Sequence, residues 1–177
     1  MKPLHTWLGR LAAVLVAGAA VAACQQAPNY SVVPEIDFNS VKSQRVINRF
    51  GAFDTVTVAV NFRDGDGDLG LDATDTGDPY DYRNGTNKFY NNYFVSLQVR
   101  RGTAAFRDTA ISFGYNGRYP RLSRTGRAEP LKGVLFYGLK FFEGTFRPGT
   151  EVRFRVSIAD RALHESNEVI TEPFRVP

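Results

Sequence analysis

The amino-acid sequence predicts an all-β protein, an immunoglobulin-like antiparallel β-sandwich of about seven strands. Three observations support this fold class. From about residue 34 onward, apolar residues recur with a period of two and not with the 3.6 of a helix. Gly, Pro, Asn and Asp separate the apolar runs, and no eleven-residue window in this part has helical spacing. Short strands separated in this way predict a sandwich rather than a barrel.

Residues 1–23 predict a signal peptide that precedes the domain. The apolar run LAAVLVAGAAVAA has thirteen residues, too few to span a bilayer core of about 30 Å as a helix. It ends in VAAC, which resembles the lipobox of bacterial lipoproteins and implies cleavage before Cys24 and lipidation of that cysteine. Residues 24–33 then form a tether. The alternative is an ordinary secretory signal with an incidental cysteine.

The single cysteine agrees with a lipid anchor. Cys24 is the only cysteine of the chain, so once it is lipidated no disulfide and no free thiol remain. One acyl chain holds a protein on a membrane only weakly, whereas two or more anchor it stably, and the resemblance to lipoproteins implies several chains. Gln25 and Gln26 follow the cysteine where no aspartate stands, which in similar lipoproteins permits sorting to the outer membrane. We therefore expect a lipid-anchored protein of the outer membrane.

Strict alternation marks the three clearest strands. In DTVTVAVNFRD (54–64), Val and Phe alternate with Thr, Ala and Asn. YFVSLQVRR (93–101) and EVRFRVSIAD (151–160) have the same pattern, which predicts half-buried strands. Less regular strands are predicted at 35–41, 109–113, 134–142 and 169–176. Pro173 in the last of these predicts an edge strand or a bulge, because proline has no N–H to donate.

The order of motifs along the chain is similar to that of a known family. A strand is followed by DGDGDLG, a long polar insert, YPRL, EPLKG and finally DRALHESNEV. This order resembles small immunoglobulin-like lipoproteins of Bacteroidota-type outer membranes, over about residues 34–176. The resemblance implies a sandwich spanning 34–177 and a membrane location, and it supplies no activity.

Negative charge is concentrated in the acidic loop 64–92, which joins the strands expected to be B and C of the sandwich. Between Asp64 and Tyr82 there are seven aspartates and no lysine or arginine. The remainder of the mature chain has 20 basic and 11 acidic side chains, so a loop segment of net charge −7 sits on a body of +9. Two carboxylates about 6 Å apart repel by roughly 3 kcal/mol at an effective dielectric near 20. A compact loop therefore needs a cation or arginines nearby.

The spacing of the first aspartates favours a bound cation. Asp64, Asp66 and Asp68 alternate with glycines, which lets the backbone turn so that the three carboxylates converge. Hard oxygen ligands of this kind suit Ca²⁺, which takes six to eight of them. The alternative is a solvated polar turn in which the glycines only satisfy positive φ.

Further ligands are expected from the rest of the loop. Gly70 offers a carbonyl at the seventh position, and Asp72 and Asp75 fall at the ninth and twelfth. Leu69 at the sixth position, the aspartate at the twelfth and the preceding strand exclude an EF-hand. The sequence therefore predicts a calcium loop on a β scaffold.

The turn between strands F and G is expected to approach this loop. B–C and F–G loops lie at one end of an immunoglobulin-like sandwich. Asp160, with Asn167 behind it in DRALHESN, would then complete a composite site. Ordinary hairpin-turn chemistry is the alternative for both residues.

Two other clusters suggest ligands besides a cation. Arginines recur every third residue in RYPRLSRTGR, and guanidinium groups suit phosphate or carboxylate. The alternative for them is a solvated face that partly neutralises the acidic loop. Tyrosines of the loop offer a platform for a glycan, or simply pack it. The arginines are Arg118, Arg121, Arg124 and Arg127, and the tyrosines are Tyr80, Tyr82, Tyr90 and Tyr93.

Composition argues against most catalytic chemistry. After removal of residues 1–23 the chain keeps one histidine, His164, in a predicted turn with no nucleophile motif nearby. A zinc site with several N or S ligands is therefore not expected, and no phosphate-binding glycine loop is present. We expect a non-enzymatic surface lipoprotein with a structural Ca²⁺ and a surface-protein or glycan partner, and no nucleic acid. The alternative function is a glycan-binding accessory of a polysaccharide-uptake system.

Overall fold

The computed structural model describes residues 28–49, 51–110, 114–123, 125–147 and 149–175 of the 177-residue chain. The predicted signal peptide, residues 1–23, and Cys24 lie outside these residues. Strands dominate the described part, together with two single-turn 3₁₀ helices, and none of its helices is long and apolar enough to cross a membrane. The strands are β1 (Glu35–Asn48), β2 (Gly51–Asp64), β3 (Tyr93–Arg101), β4 (Arg107–Thr109), β5 (Leu131–Phe142), β6 (Thr150–Ile158), β7 (Val169–Ile170) and β8 (Phe174–Arg175). The 3₁₀ helices are Arg83–Gly85 and Lys88–Tyr90.

The strands form two antiparallel sheets. One has the order β1-β2-β5, and the other has the order β4-β3-β6-β7, with β8 also pairing with β6. In immunoglobulin lettering these are A-B-E and C′-C-F-G, with β2 as B and β6 as F. The all-β sandwich predicted from the alternation is confirmed.

The alternating residues of the two sheets meet in the core. Val56, Val58 and Val60 of β2 and Phe154 and Val156 of β6 have no exposed surface. Each such side chain contributes about 1.5–3 kcal/mol through removal from water. The core therefore lies between the same faces that the sequence marks as apolar.

Several strand bounds differ from the sequence prediction, and β5, expected at 134–142, begins three residues earlier at Leu131. β3 has the predicted bounds, but β1 continues past residue 41 to Asn48 because a register shift at Phe38/Ser40 changes which residues face inward. The strand expected at 109–113 is observed at Arg107–Thr109, and residues 111–113 lie outside the description.

The strand expected at 169–176 is divided into β7 and β8. Thr171 lies between them, and its hydroxyl accepts a hydrogen bond from the Phe154 amide at 3.0 Å. The division falls beside Pro173, where the sequence predicts an edge strand or a bulge.

One end of the sandwich brings the acidic loop to the F–G turn. β2 ends at Asp64 and β6 ends at Ile158, and a bridge between Leu69 and Asp160 joins the connections that follow. Leu69 is buried, and its carbonyl accepts a hydrogen bond from the Leu122 amide at 3.0 Å. The acidic loop is thus held against the body on two sides.

Candidate metal site

Three carboxylates converge where β2 ends. Asp64 is the last residue of β2, and the alternation that buries Val60 and Phe62 also turns the Asp64 side chain inward. The chain then turns, with Gly67 at φ +69°, and returns Asp66 and Asp68 to the same place. One oxygen of each of the three carboxylates lies within 4.8 Å of the others.

Burial leaves these oxygens without partners. Asp64 has 0% exposure, and neither of its carboxylate oxygens accepts a hydrogen bond from a described residue. Asp66 and Asp68 each have one further buried oxygen, Oδ1, that is likewise unpartnered. Buried polar groups in folded proteins are nearly always hydrogen-bonded, and an isolated buried charge is costly. The cluster therefore requires a proton or a cation.

The pKa values of Asp64 and Asp68 are shifted in the same direction, upward. Burial, followed by the charges of Asp66, Asp68 and Asp160, raises the pKa of Asp64 from 3.8 to about 7. The Gly67 amide opposes this slightly, although it does not reach hydrogen-bonding geometry. Burial, followed by Asp160 and Asp66, also raises the pKa of Asp68. A cation would reverse these shifts because it favours the ionised form.

Asp160, the residue predicted to complete a composite site, acts on the cluster through its charge and is not one of the three converging carboxylates. It is 3% exposed and bridged to Leu69, but both of its oxygens already have partners. Oδ1 accepts from the His164 amide at 2.7 Å, and Oδ2 lies 2.9 Å from His164 Nδ1. Burial raises the Asp160 pKa, and the two His164 contacts oppose that rise. The hairpin-turn chemistry named as the alternative is therefore present as well.

A direct hydrogen bond joins the two loops at Asp68. Its Oδ2 accepts from the Ala162 amide in the F–G turn at 3.1 Å, and its Oδ1 is buried without a partner. The hydroxyl of buried Tyr119 donates to the Ala159 carbonyl at 3.2 Å beside the same turn. The acidic loop and the F–G turn are therefore in direct contact beside the three carboxylates.

Asp72 and Asp75, predicted as further ligands, are not brought to the three converging carboxylates. The Asp75 carboxylate is bound by the Arg161 guanidinium and accepts from the Asp72 amide at 2.7 Å. The hydrogen bond from Arg161 is the main reason that the pKa of Asp75 is lowered. The Asp72 side chain lies 3.9 Å from Arg121. Arginines rather than a cation neutralise this second half of the loop.

Gly70, predicted to offer a carbonyl, has a different visible role. Its φ is +97°, and an added Cβ would lie 2.2 Å from the Pro120 carbonyl oxygen. Only glycine fits this close approach of two backbones without strain. Gly70 thereby lets the acidic loop pack against residues 120–121.

Two of the four arginines predicted to bind anions contact the acidic loop. Arg118 donates to the Asp75 carbonyl at 2.8 Å, and its guanidinium lies 5.2 Å from the centre of the Tyr90 ring. Arg121 faces Asp72. Arg127 is exposed, and Arg124 lies outside the described residues. For Arg118 and Arg121 the structure favours the alternative in which arginines neutralise the loop.

The tyrosines do not form a flat platform. Tyr93 is fully buried and stacks on Tyr137 with ring centres 4.2 Å apart, and Tyr80 donates its hydroxyl to the Arg161 carbonyl. Tyr82 is exposed and meets Tyr90 edge to face at 5.1 Å. Packing therefore accounts for Tyr80 and Tyr93.

Asn167 does not reach the cluster. Its side-chain oxygen accepts from the Ile36 amide at 2.9 Å, and its nitrogen donates to the Ile36 carbonyl at 2.8 Å. The amide thus pairs with the start of β1 as a neighbouring strand would. Its proposed place behind Asp160 in the composite site is corrected accordingly.

The first three aspartates of the acidic loop differ from the later ones in their partners. Asp75 pairs with Arg161, and Asp78 and Asp81 pair with Arg83. Within the described ranges, none of the three converging carboxylates forms an ion pair, although they are the more deeply buried group. Sequence reasoning identified these three and missed Arg161, whose position next to Asp160 in the DRA turn was the available signal.

Comparison with protein-family models, curated proteins and solved structures finds no significant match to this chain. Function must therefore be argued from the site and not from the fold, because one fold supports many functions.

Proposed function

We propose that the protein is a non-enzymatic, membrane-anchored surface lipoprotein whose acidic loop is stabilised by Ca²⁺. The proposal of a bound cation rests on one observation. Asp64 is fully buried, and both of its oxygens are without a partner beside two further carboxylates. The lipid anchor at Cys24 is supported by the lipobox-like VAAC alone. Both parts are tested separately.

The ligand geometry suits calcium. Ca²⁺–oxygen bonds measure 2.3–2.6 Å, so ligands on opposite sides of the ion lie about 4.6–5.2 Å apart. The carboxylate oxygens here lie within 4.8 Å of one another. Three carboxylates leave three to five positions of a six- to eight-fold shell for water or carbonyl oxygens. By analogy with extracellular modules, the dissociation constant is on the order of 10⁻⁴–10⁻³ M.

The proposed ion acts on structure rather than on a reaction. Asp68 belongs to the acidic loop and contacts Ala162 of the F–G turn, so an ion at this point would fix two loops relative to each other. His164, the histidine expected to remain in the mature chain, is held by Asp160 in a turn. A rigid loop end is suited to presenting a surface to a protein or glycan partner.

Calorimetric titration of residues 25–177 with Ca²⁺ tests the site. The expected result is one weak binding event and a rise in melting temperature, both lost in Asp66→Asn and Asp68→Asn. Asp78→Asn is the matched control, because Asp78 is an exposed loop aspartate paired with Arg83. Absence of heat and of any thermal shift at several times the expected dissociation constant rejects the calcium site.

A glycan-binding accessory is the second candidate. Tyr82 supports it: this ring is 58% exposed at the loop end, next to Tyr90. A glycan array probed with residues 25–177 tests this function, with Tyr82→Ala as the variant expected to lose any signal. An array without binding leaves the structural role alone.

A further inference from the structure

The outer face of sheet β1-β2-β5 carries exposed apolar side chains along β5. Val134, Phe136 and Phe142 are 42%, 67% and 73% exposed, and they alternate with buried Leu135 and Phe141. β5 lies at the edge of its sheet, with β2 on its other side. Several large apolar side chains exposed to solvent on one strand indicate an interaction surface.

Cations accompany these apolar residues on the same face. Lys132 and Lys140 occupy the same outward alternation of β5, a strand whose sequence contains no acid. Lys140 Nζ lies 4.1 Å from the centre of the Phe53 ring of β2. Acids also lie on this face, since Glu35 and Asp37 of β1 pair with Arg63 of β2. Among the described residues Lys132 and Lys140 have no such acidic partner, so β5 itself combines aromatic and basic groups in the manner of surfaces that lie in a membrane interface.

The outer face of the opposite sheet has a different character. Two of its arginines are paired with acids: Arg155 Nε lies 2.7 Å from a Glu168 oxygen, and Arg100 forms an ion pair with Glu151. Arg153 instead donates to Gln98 at 2.7 Å and lies over the Phe106 ring. Among the described strands of that sheet, Ile170 alone is an exposed large apolar residue. The β5 face thus exposes more large apolar side chains than the face of the opposite sheet.

The position of the N-terminal segment favours a lipid surface as the occupant. The chain enters this same sheet at Glu35, the first residue of β1. The Ser31 carbonyl accepts a hydrogen bond from the Gly65 amide at 2.8 Å, so the chain is already held at Ser31. Cys24 lies seven residues before Ser31, a reach of at most about 23–25 Å, whereas twelve-residue β5 spans about 40 Å. A lipid on Cys24, which rests on the proposed function, would hold this face within reach of the bilayer.

A second copy of the chain fits this strand less well. Antiparallel pairing of two β5 strands centred on Phe136 would set Lys132 of one copy opposite Lys140 of the other. Like charges directly opposite each other destabilise a strand pair.

We propose that the outer face of β1-β2-β5 docks on an anionic lipid surface. Phe136 and Phe142 enter the boundary between headgroups and acyl chains, while Lys132 and Lys140 contact the lipid phosphates. The sandwich then lies on its side on the membrane instead of standing free on its tether.

Fluorescence from a single introduced tryptophan tests this orientation. The one tryptophan of the chain, Trp7, lies in the predicted signal peptide that is removed before Cys24, so Phe136→Trp or Phe142→Trp supplies the only indole of the lipidated chain. The lipidated chain is reconstituted in vesicles of brominated phosphatidylcholine, with or without phosphatidylglycerol. The expected result is strong bromine quenching of both variants in the anionic vesicles and little quenching of the control Ile170→Trp, which lies on the opposite sheet.

Neutralising the lysines provides the second arm. Lys132→Gln with Lys140→Gln should lower the docking equilibrium about 25-fold, at roughly fivefold per lysine, and should remove the preference for anionic vesicles. Arg127→Gln, an exposed cation outside the strands, should have no effect. Equal quenching at positions 136 and 170, or none at either, overturns the docking. Membrane recovery of these variants and their response to Ca²⁺ report on the proposed function independently.

Discussion

Replacing Asp64 by Asn should stabilise the metal-free protein and abolish its response to Ca²⁺. Both oxygens of this buried carboxylate lack partners, and two further carboxylates lie beside it. Without a cation the ionised side chain therefore opposes folding. Asn has nearly the same shape and no charge, so the variant removes the electrostatic penalty without opening a cavity.

The size of the effect follows from the pKa of Asp64. A rise from 3.8 to about 7 corresponds to about 4 kcal/mol of unfavourable free energy at neutral pH, since each pKa unit is worth about 1.36 kcal/mol. The unpaired amide that replaces the carboxylate keeps about 1–3 kcal/mol of this penalty. The net gain for metal-free Asp64→Asn is then about 1–3 kcal/mol, or roughly 2–12 °C in melting temperature for a domain of this size.

The unsubstituted protein should gain stability when Ca²⁺ is added. At about 10 mM Ca²⁺ and a dissociation constant of 10⁻⁴–10⁻³ M, binding contributes about 1.4–2.7 kcal/mol. Urea unfolding in EDTA and in Ca²⁺ measures both quantities on the same two proteins. Asp64→Asn should be the more stable protein in EDTA, and only the unsubstituted protein should change on addition of Ca²⁺.

Two results would refute the reasoning. A loss of stability for Asp64→Asn in EDTA would mean that the carboxylate is already satisfied in the metal-free protein. An equal response of both proteins to Ca²⁺ would place the ion elsewhere. Asp78→Asn, an exposed loop position, controls for a general effect of lowering the negative charge.

Three other predictions concern pH, the arginine bridge and the anchor. The folded-state pKa of Asp64 lies above its unfolded value, so the folded protein binds the proton more tightly than the unfolded chain does. Stability in EDTA should therefore rise as pH falls from about 7 towards 4, while the stabilisation by Ca²⁺ should shrink. Melting curves across this pH range check both signs. Arg161→Ala should destabilise the protein by about 1.5–3 kcal/mol in urea unfolding, because it leaves the partly buried Asp75 carboxylate without its cation, and Arg83→Ala at an exposed pair should cost less. Cys24→Ala should move the protein from the membrane to the soluble fraction of cells, and mass spectrometry should find acyl chains only on the unsubstituted protein.

The sandwich could be predicted from sequence because half-buried strands show alternating apolar and polar residues. In β3, every second residue from Tyr93 to Val99 faces the core, and the predicted bounds agree with those observed. β1 was predicted too short because its register shift near Ser40 breaks the period of two. Pairing with a neighbour also extends a regular strand: β5 begins at Leu131, where it pairs with Asp64 of β2, and not at residue 134.

The same limit applies to the metal site. Asp64, Asp66 and Asp68 are neighbours in sequence, so alternation with glycine was enough to predict that they converge. The partner of Asp75 is Arg161, which lies 86 residues away in the sequence. The spacing of residues within the acidic loop therefore does not predict this ion pair. Extrapolating a linear ligand pattern therefore failed at the point where a second loop supplies the counter-charge.

This division of counter-charge has a consequence for how strongly Ca²⁺ can act. The second half of the acidic loop is held by Arg161, Arg118 and Arg83 without any ion, and Leu69 anchors the first half in the core. The loop therefore does not depend on the cation for its path. What the metal-free protein lacks is compensation at a single buried cluster, which costs a few kcal/mol out of a total stability of about 5–15 kcal/mol. Calcium should accordingly shift the melting temperature of a protein that is already folded, in contrast to domains that fold only when their metal binds.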